Sequence, residues 1–372
     1  MKAIYPESGT VGRHILRWAR PSTLAMSLCV AGHTALAQPD SGAHKEMTPA
    51  CDTSFADRFQ HGPDTRILLV RAFKKGDALP VAPLPSLPGF EVAKTAGADL
   101  CQVKILVGPG NPGPADAPST SDGIGVEVWL PTASAWNGRL HAIATGGWAG
   151  GQEADPAKAS STAGTADLRP PYLVAAEEGS ATSSTDTGHQ SRRPDVIPFA
   201  DGSFIMNPDG SFNRRLWEDF TERAIHVQAV ISKAVISAYY GRPPKYSYFD
   251  GGSMGGRQGM KLAQRYPEDY DGILSAVTAL YATNRAPAGL YPQIVIEQDL
   301  GGKHLSADQL NLVSNAAIQS CDVIDGKHLG FILDPMTCRY DPTKDRAVLC
   351  PSAGGSNNTP ACVSRSQAQA IN

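Results

Sequence analysis

The chain has 372 residues, 41% of them hydrophobic and 19% charged, with a net charge of -3 at neutral pH. That composition excludes a disordered chain and leaves room for one large α/β domain with an insertion. The absence of any sustained basic run argues against nucleic acid or an anionic membrane surface as the main partner, and a small neutral organic substrate is easier to reconcile.

At the N-terminus Arg13, Arg17 and Arg20 precede an apolar stretch from about Leu24 to Leu36, which ends in Ala35-Leu36-Ala37 before Gln38. A basic region, a short apolar core and an A-x-A site read as a secretory signal peptide over residues 1–37, cleaved after Ala37. Gly32, His33 and Thr34 break the apolar stretch, which is shorter than the roughly 20 residues a membrane anchor needs. The expected location is secreted or periplasmic, with no membrane contact after cleavage. Of seven cysteines, Cys29 lies in this segment, and Cys51, Cys101, Cys321, Cys338, Cys350 and Cys362 remain. An even number in an exported chain implies disulfides, but the sequence does not choose among the pairings. No C-x-x-C spacing occurs, which argues against structural zinc.

From Gln38 to about Pro63 the chain is polar and irregular, with an ordered start expected near Cys51. Strand runs follow at Arg66 to Val70 and Gln102 to Val107, separated from the next by a Pro-, Gly-, Ser- and Asp-rich loop over 108–123. Val126 to Pro131 alternates as a half-buried strand, and Arg139 to Thr145 gives another. Gly146-Gly147-Trp148-Ala149-Gly150-Gly151 comes directly after it. Its four glycines let backbone pass close to a ligand and aim N–H groups at it, as an oxyanion hole requires. Gln152 to Pro171 is polar and lid-like, and Ser180 to Asp186 reads as a strand ending in Thr185-Asp186-Thr187-Gly188-His189.

Leu216, Phe220, Val227, Ile231, Ala234 and Ala238 recur at helical spacing, which predicts an amphipathic helix of about 25 residues ending before Pro243-Pro244. His226 on it reads as a packed or surface residue. The helix feeds Tyr246 to Gly252, a strand-like run that turns at glycines into a helix entered through Met254 and carried to Tyr266. Gly251-x-Ser253-x-Gly255 at this turn fits a nucleophile elbow, which needs small residues two before and two after the serine. Alone the pattern is weak in a chain with 37 glycines; the preceding strand, the following helix and a second strand-like run at Gly272 to Val277 strengthen it. After Leu280 the character changes: four cysteines and a capping box at Ser306-x-x-Gln309 suggest an inserted lid over 281–372 rather than more sheet.

The block from Tyr246 to Ile273, with Asp-Gly-x-Ser-x-Gly-Gly-Arg-Gln-Gly and Gln264-Arg265-Tyr266-Pro267-Glu268-Asp269-Tyr270-Asp271-Gly272-Ile273, resembles the tannase and feruloyl esterase family of α/β-hydrolases. So do Arg139 to Gly150, the S-T-D-T-G-H run at Ser184 to His189, and the cysteine-bracketed segment from Cys321 to Pro342. The resemblance runs from about Cys51 to the end of the chain. It implies an α/β-hydrolase sheet with helices on both faces, formed by residues 38–280 and covered by the disulfide-containing lid. It also implies hydrolysis of phenolic acid esters, feruloyl or galloyl, through an acyl-enzyme on Ser253, without a catalytic cofactor. The oxyanion hole would combine the backbone N–H of Gly147, or of neighbouring Gly146, with that of Met254. The implied disulfides are Cys51 with Cys101, Cys321 with Cys338, and Cys350 with Cys362.

Within the lid, the resemblance implies a calcium loop in which Asp322 and Asp325 give carboxylates and Lys327 and Phe331 give backbone carbonyls. Leu329 stands where the family usually has an aspartate, and Gly252 stands where it usually has a cysteine tethered beside the catalytic histidine. His189 precedes Ser253, whereas this fold delivers its acid and base after the nucleophile, so a structural or substrate-side role is expected for it. In the family the triad acid and histidine follow the lid, so this chain is expected to stop within the lid at Asn372. After Ser253 the sequence holds only His304 and His328, both in the lid. An inactive fragment, or a secreted binding protein of the same fold, is the alternative.

Overall fold

The computed structural model describes residues 50–81, 93–160, 169–191 and 198–372, with backbone alone at 198, 282, 283 and 286. The segment read as a signal peptide lies outside the described residues. Seven strands build the main sheet: β1 (Thr65–Phe73), β2 (Leu100–Val107), β3 (Ile124–Pro131), β4 (Arg139–Ile143), β5 (Ala181–Thr185), β6 (Tyr246–Gly252) and β7 (Gly272–Ala276). They lie in the order β1-β2-β3-β5-β4-β6-β7. Pairing is antiparallel from β1 to β5 and parallel from β5 through β4 and β6 to β7. Every strand-like run of the sequence is therefore a strand. A register shift between Ile67 and Leu69 marks a bulge in β1.

Because successive side chains of a strand point to opposite faces, the buried residues divide by parity. Val103, Ile105, Val126, Val128, Leu130, Leu140, Ala142 and Phe249 share one core with Phe55 of α1 (Thr53–Arg58). The same core takes in Ile231 and Val235 of one long helix and Leu262 of another, both described below. On the other face Phe73, Leu100 and Trp129 pack against Tyr172 and Ala175 of α2 (Pro171–Glu178). Helices thus cover both faces, and full burial of each large apolar side chain contributes about 1.5–3 kcal/mol.

The predicted long helix is present but not uniform. It comprises α3 (Arg214–Glu218), a π-helical turn (Asp219–Arg223) and α4 (Ala224–Tyr240). The wider turn brings the buried Asp219 against Arg223, whose Nε donates to Asp219 Oδ1 at 2.6 Å, and it buries the Phe220 ring. Gly241 ends α4 in the left-handed conformation, two residues before Pro243. From β6 the chain enters α5 (Met254–Arg265), which leads to β7.

Beyond β7, α6 (Ala282–Leu300) and α7 (Ala307–Cys321) precede a small hairpin of β8 (Val323–Ile324) and β9 (Lys327–His328). The chain closes on α8 (Arg365–Ile371). Capping boxes open α7 at Ser306 and Gln309, as the sequence indicates, and α8 at Ser364 and Gln367. Val313, Val348, Leu349, Val363 and Ala368 form a separate small core in this region. The three disulfides join Cys51 to Cys101, Cys321 to Cys338 and Cys350 to Cys362, the pairing the resemblance implies.

Candidate active site

Ser253 sits between β6 and α5 with φ 57° and ψ -118°, and its residue is exposed. A non-glycine residue at positive φ is strained and persists only where its surroundings hold it. Here Ser253 N–H donates to the Ala276 carbonyl at 3.1 Å, and the Ser253 carbonyl accepts from Ala279 N–H at 3.0 Å. The glycines make that turn possible. A Cβ at Gly251 would lie 2.3 Å from the Gly255 carbonyl oxygen, and one at Gly256 would lie 2.7 Å from that of Ala276. Met254 is the first residue of α5, so its N–H has no acceptor within the helix and faces outward at the positive end of the helix dipole.

The glycine-rich loop reaches the same edge, because β4 and β6 are parallel neighbours and their C-terminal ends emerge together. Gly147 adopts φ 52°, and a Cβ there would lie 2.1 Å from the Phe199 carbonyl oxygen. That carbonyl also accepts from Trp148 N–H at 2.7 Å, which fixes the turn. Ala149 lies in a buried apolar cluster with Phe204, Leu216 and Phe220, against which Trp148 and Met254 also pack. Sequence-assigned Gly147 and Met254 therefore belong to segments that meet. Gly146, the alternative, has open space where a side chain would stand.

Two glutamines hold this edge, and sequence reasoning did not single them out. Gln228 of α4 donates through Nε2 to the carbonyls of Ile143 and Ser183, at 3.0 and 2.9 Å. Gln258 of α5 meets Thr145, the residue leading into the glycine loop, through both ends of its amide. The available signal was a lone amide within an apolar helical face at Gln228, and the position five residues after Ser253 at Gln258. Arg257, beside it, donates to the carbonyls of Phe220 and Thr221 in the π turn and lies over the Phe220 ring.

Among the described residues no histidine hydrogen-bonds Ser253. His189 is 2% exposed and stacks on Phe204 with ring centroids 3.6 Å apart. Burial pulls its pKa down to about 4, while the nearby Trp148 and Thr187 backbone and the Asp201 charge act weakly the other way. His141 contacts Glu178 at 2.9 Å and Asp250 at 3.8 Å. Desolvation opposes its charged form, but hydrogen bonds to Asp250 and Glu178 outweigh it and raise its pKa. His226 pairs with Asp269, and His304 is exposed in the segment before α7.

In the segment read as a calcium loop, Asp322 commits both carboxylate oxygens within the chain. Oδ1 meets His328 Nδ1 at 2.7 Å, and Oδ2 accepts from Gly330 N–H at 2.9 Å. That backbone hydrogen bond, with the His328 contact, lowers the Asp322 pKa. Asp325 lies at the exposed hairpin turn with φ 49°, Lys327 is exposed in β9, and Phe331 is 54% exposed. Among the described residues no group of three or more His, Cys, Asp or Glu side chains could hold a metal ion. As folded, the loop does not fit a calcium site unless Asp322 releases His328.

Comparison with known proteins bears on all of this. Residues 110–372 match the family model described as tannase and feruloyl esterase. A probable feruloyl esterase of Arthroderma benhamiae is 34% identical over 273 residues, covering 69% of this chain and 46% of that protein. An uncharacterized esterase of Xanthomonas campestris is 31% identical over 257 residues, covering 68% and 38%. The chain thus spans about half the length, or less, of the curated relatives it matches. Among solved structures, an esterase from Aspergillus oryzae superposes with a TM-score of 0.59 at 26% identity, covering 86% of this chain and 54% of that one. Feruloyl esterase B from Aspergillus oryzae, at 24% identity and a TM-score of 0.57, shares the fold over 86% of this chain and 55% of its own. The chain belongs to the tannase and feruloyl esterase family of carboxylic ester hydrolases, and its sheet is the α/β-hydrolase sheet.

Proposed function

We propose that the chain hydrolyses esters of phenolic acids through an acyl-enzyme on Ser253. The observation that carries this reading is the strained, outward-facing serine at the β6–α5 elbow, within a family of ester hydrolases. Ser253 Oγ attacks the ester carbonyl, and the N–H groups of Met254 and Gly147 stabilise the negative oxygen that forms. Collapse of that intermediate expels the alcohol and leaves the acid joined to Ser253; water then releases the acid. The half-buried Trp148 and Met254 give the neighbourhood an apolar wall suited to an aromatic acyl group. The general base and its orienting acid are left unassigned.

Residues 281–372 serve in this reading as a lid, and calcium binding in the Cys321–Cys338 loop is a separate proposal that requires Asp322 to exchange partners. Export is supported by the N-terminal segment and by three disulfides, which persist in oxidising compartments. Among the described residues no helix is long and apolar enough to cross a membrane. One observation favours a second reading, binding without turnover: no described histidine reaches Ser253. Hydrolysis of methyl ferulate and methyl gallate by the purified chain and by Ser253→Ala separates the two. Turnover abolished by the substitution supports the esterase; saturable ester binding with no turnover in either protein supports the second reading.

A further inference from the structure

Buried side-chain polar atoms without a well-formed hydrogen bond gather at one turn: Asp186 Oδ2, Thr187 Oγ1 and both ring nitrogens of His189, the last approached by the Trp148 and Thr187 backbone alone. Protein interiors pair nearly all such atoms with protein or with an enclosed molecule, so a cluster of this kind points to something bound. Asp186 and His189 are 1% and 2% exposed, and both line a cavity of about 260 Å³ together with Arg66, Ser121, Asp122 and Gln190. Neither Ser253, Gly147 nor Met254 lines it, so the cavity is separate from the proposed ester site.

The polar floor has a definite hydrogen-bonding pattern. Asp186 Oδ1 already accepts from Gly125 and Gly188 N–H groups, at 2.9 and 2.8 Å. Burial, then the neighbouring Glu153 carboxyl, pushes the Asp186 pKa well above the usual carboxylate range, and Oδ2 is the oxygen left without a partner beside the cavity. Burial keeps His189 neutral, with one N–H and one lone pair, and the stack on Phe204 fixes its ring. The floor therefore presents Asp186 Oδ2 beside an imidazole that offers one donor and one acceptor. The buried Glu153 disfavours an anion, and a metal ion would lack a third protein ligand among the described residues.

We propose that this cavity is a binding site for a small neutral molecule with adjacent hydroxyl groups, held by Asp186 Oδ2 and the His189 ring. Neighbouring hydroxyls both give and accept hydrogen bonds, as this floor requires. The volume, near the lower end of ligand pockets at about 300 Å³, suits one ring rather than an extended molecule. A sugar and a catechol-type phenol share this chemistry.

The test is titration of the whole chain with methyl glucoside, with catechol and, as an anionic control, with acetate, followed through the ¹H–¹⁵N signals of the His189 ring. At least one hydroxylated probe should bind saturably and move those signals, and the stronger binder identifies the source. His189→Phe keeps the stack but removes the nitrogens, and should weaken binding at least about tenfold. Asp186→Asn keeps an acceptor and a neutral donor, and should hold affinity within about threefold. The proposal is overturned if neither probe binds, if acetate binds best, if the His189 signals stay still, or if Asp186→Asn abolishes binding. Unchanged binding in a folded His189→Phe overturns it as well; should that variant not fold, the wild-type ring signals decide.

Discussion

Gln258 grips Thr145 from both sides: its Oε1 accepts from Thr145 N–H and its Nε2 donates to the Thr145 carbonyl, each at 3.3 Å and fully buried. One side chain on the helix after Ser253 thereby sets the height of the strand that leads to Gly147. Replacing it by leucine strands two buried backbone groups, at about 1–3 kcal/mol each when unpaired. Gln258→Leu should therefore lose about 2 kcal/mol or more in urea unfolding. If Gly147 holds the oxyanion, the surviving folded enzyme should lose kcat with little change in KM.

Gly147 and Gly146 should respond oppositely to an added methyl group. Gly147→Ala forces a Cβ against the Phe199 carbonyl at a positive φ, whereas Gly146→Ala enters open space. Melting temperature and esterase rate should fall sharply for the first and stay near wild type for the second, within about 1 kcal/mol in stability. Equal effects at the two positions would remove Gly147 from its assigned place.

The buried His189 and the half-buried His141 give stability opposite dependences on pH. His189 has a folded pKa of about 4 against 6.5 for a free histidine, so the unfolded chain takes up its proton first. Stability is present above 6.5 and is lost as the pH falls toward 4, by about 3 kcal/mol. His189→Phe should remove that loss. For His141 the folded pKa is raised, so its contribution is full below 6.5 and disappears as the pH rises through the folded value. Melting curves between pH 4 and 8 should show the gap between wild type and His141→Gln widening toward acid.

The disulfides should rank by the chain they enclose. Cys51–Cys101 spans 50 residues, against 17 and 12 for the other two. Loop-closure entropy gives about 4 kcal/mol for the first and about 3 kcal/mol for each of the others. The paired serine replacement at Cys51 and Cys101 should lower the denaturation midpoint most.

What could be read from the sequence was whatever is encoded locally. All seven strands announce themselves as apolar or alternating runs, and the elbow at Ser253 is written in five residues because its backbone geometry demands glycine. Strand order was not legible, since placing β5 between β3 and β4 depends on how α2 and α4 cover the sheet. Helix α6 was hidden by Pro287 and Pro292, each of which removes a backbone donor and reads as a breaker. The clamps by Gln228 and Gln258 join residues 85 and 113 positions apart, and the Asp186–His189 cavity draws its lining from five separate segments. No local pattern carries such relationships. The segment for which the resemblance implies calcium is the converse case: a local pattern suggests the site, while the contacts of Asp322 with His328 and Gly330 are visible only in the folded loop.

The most direct single measurement is to trap the acyl-enzyme. The chain is mixed with methyl ferulate, quenched in acid within the first turnover, digested and examined by mass spectrometry. A feruloyl group on the peptide bearing Ser253, absent from Ser253→Ala, is the expected result. No adduct under conditions of measurable hydrolysis, or an adduct on another residue, would contradict the assignment of Ser253 as the nucleophile.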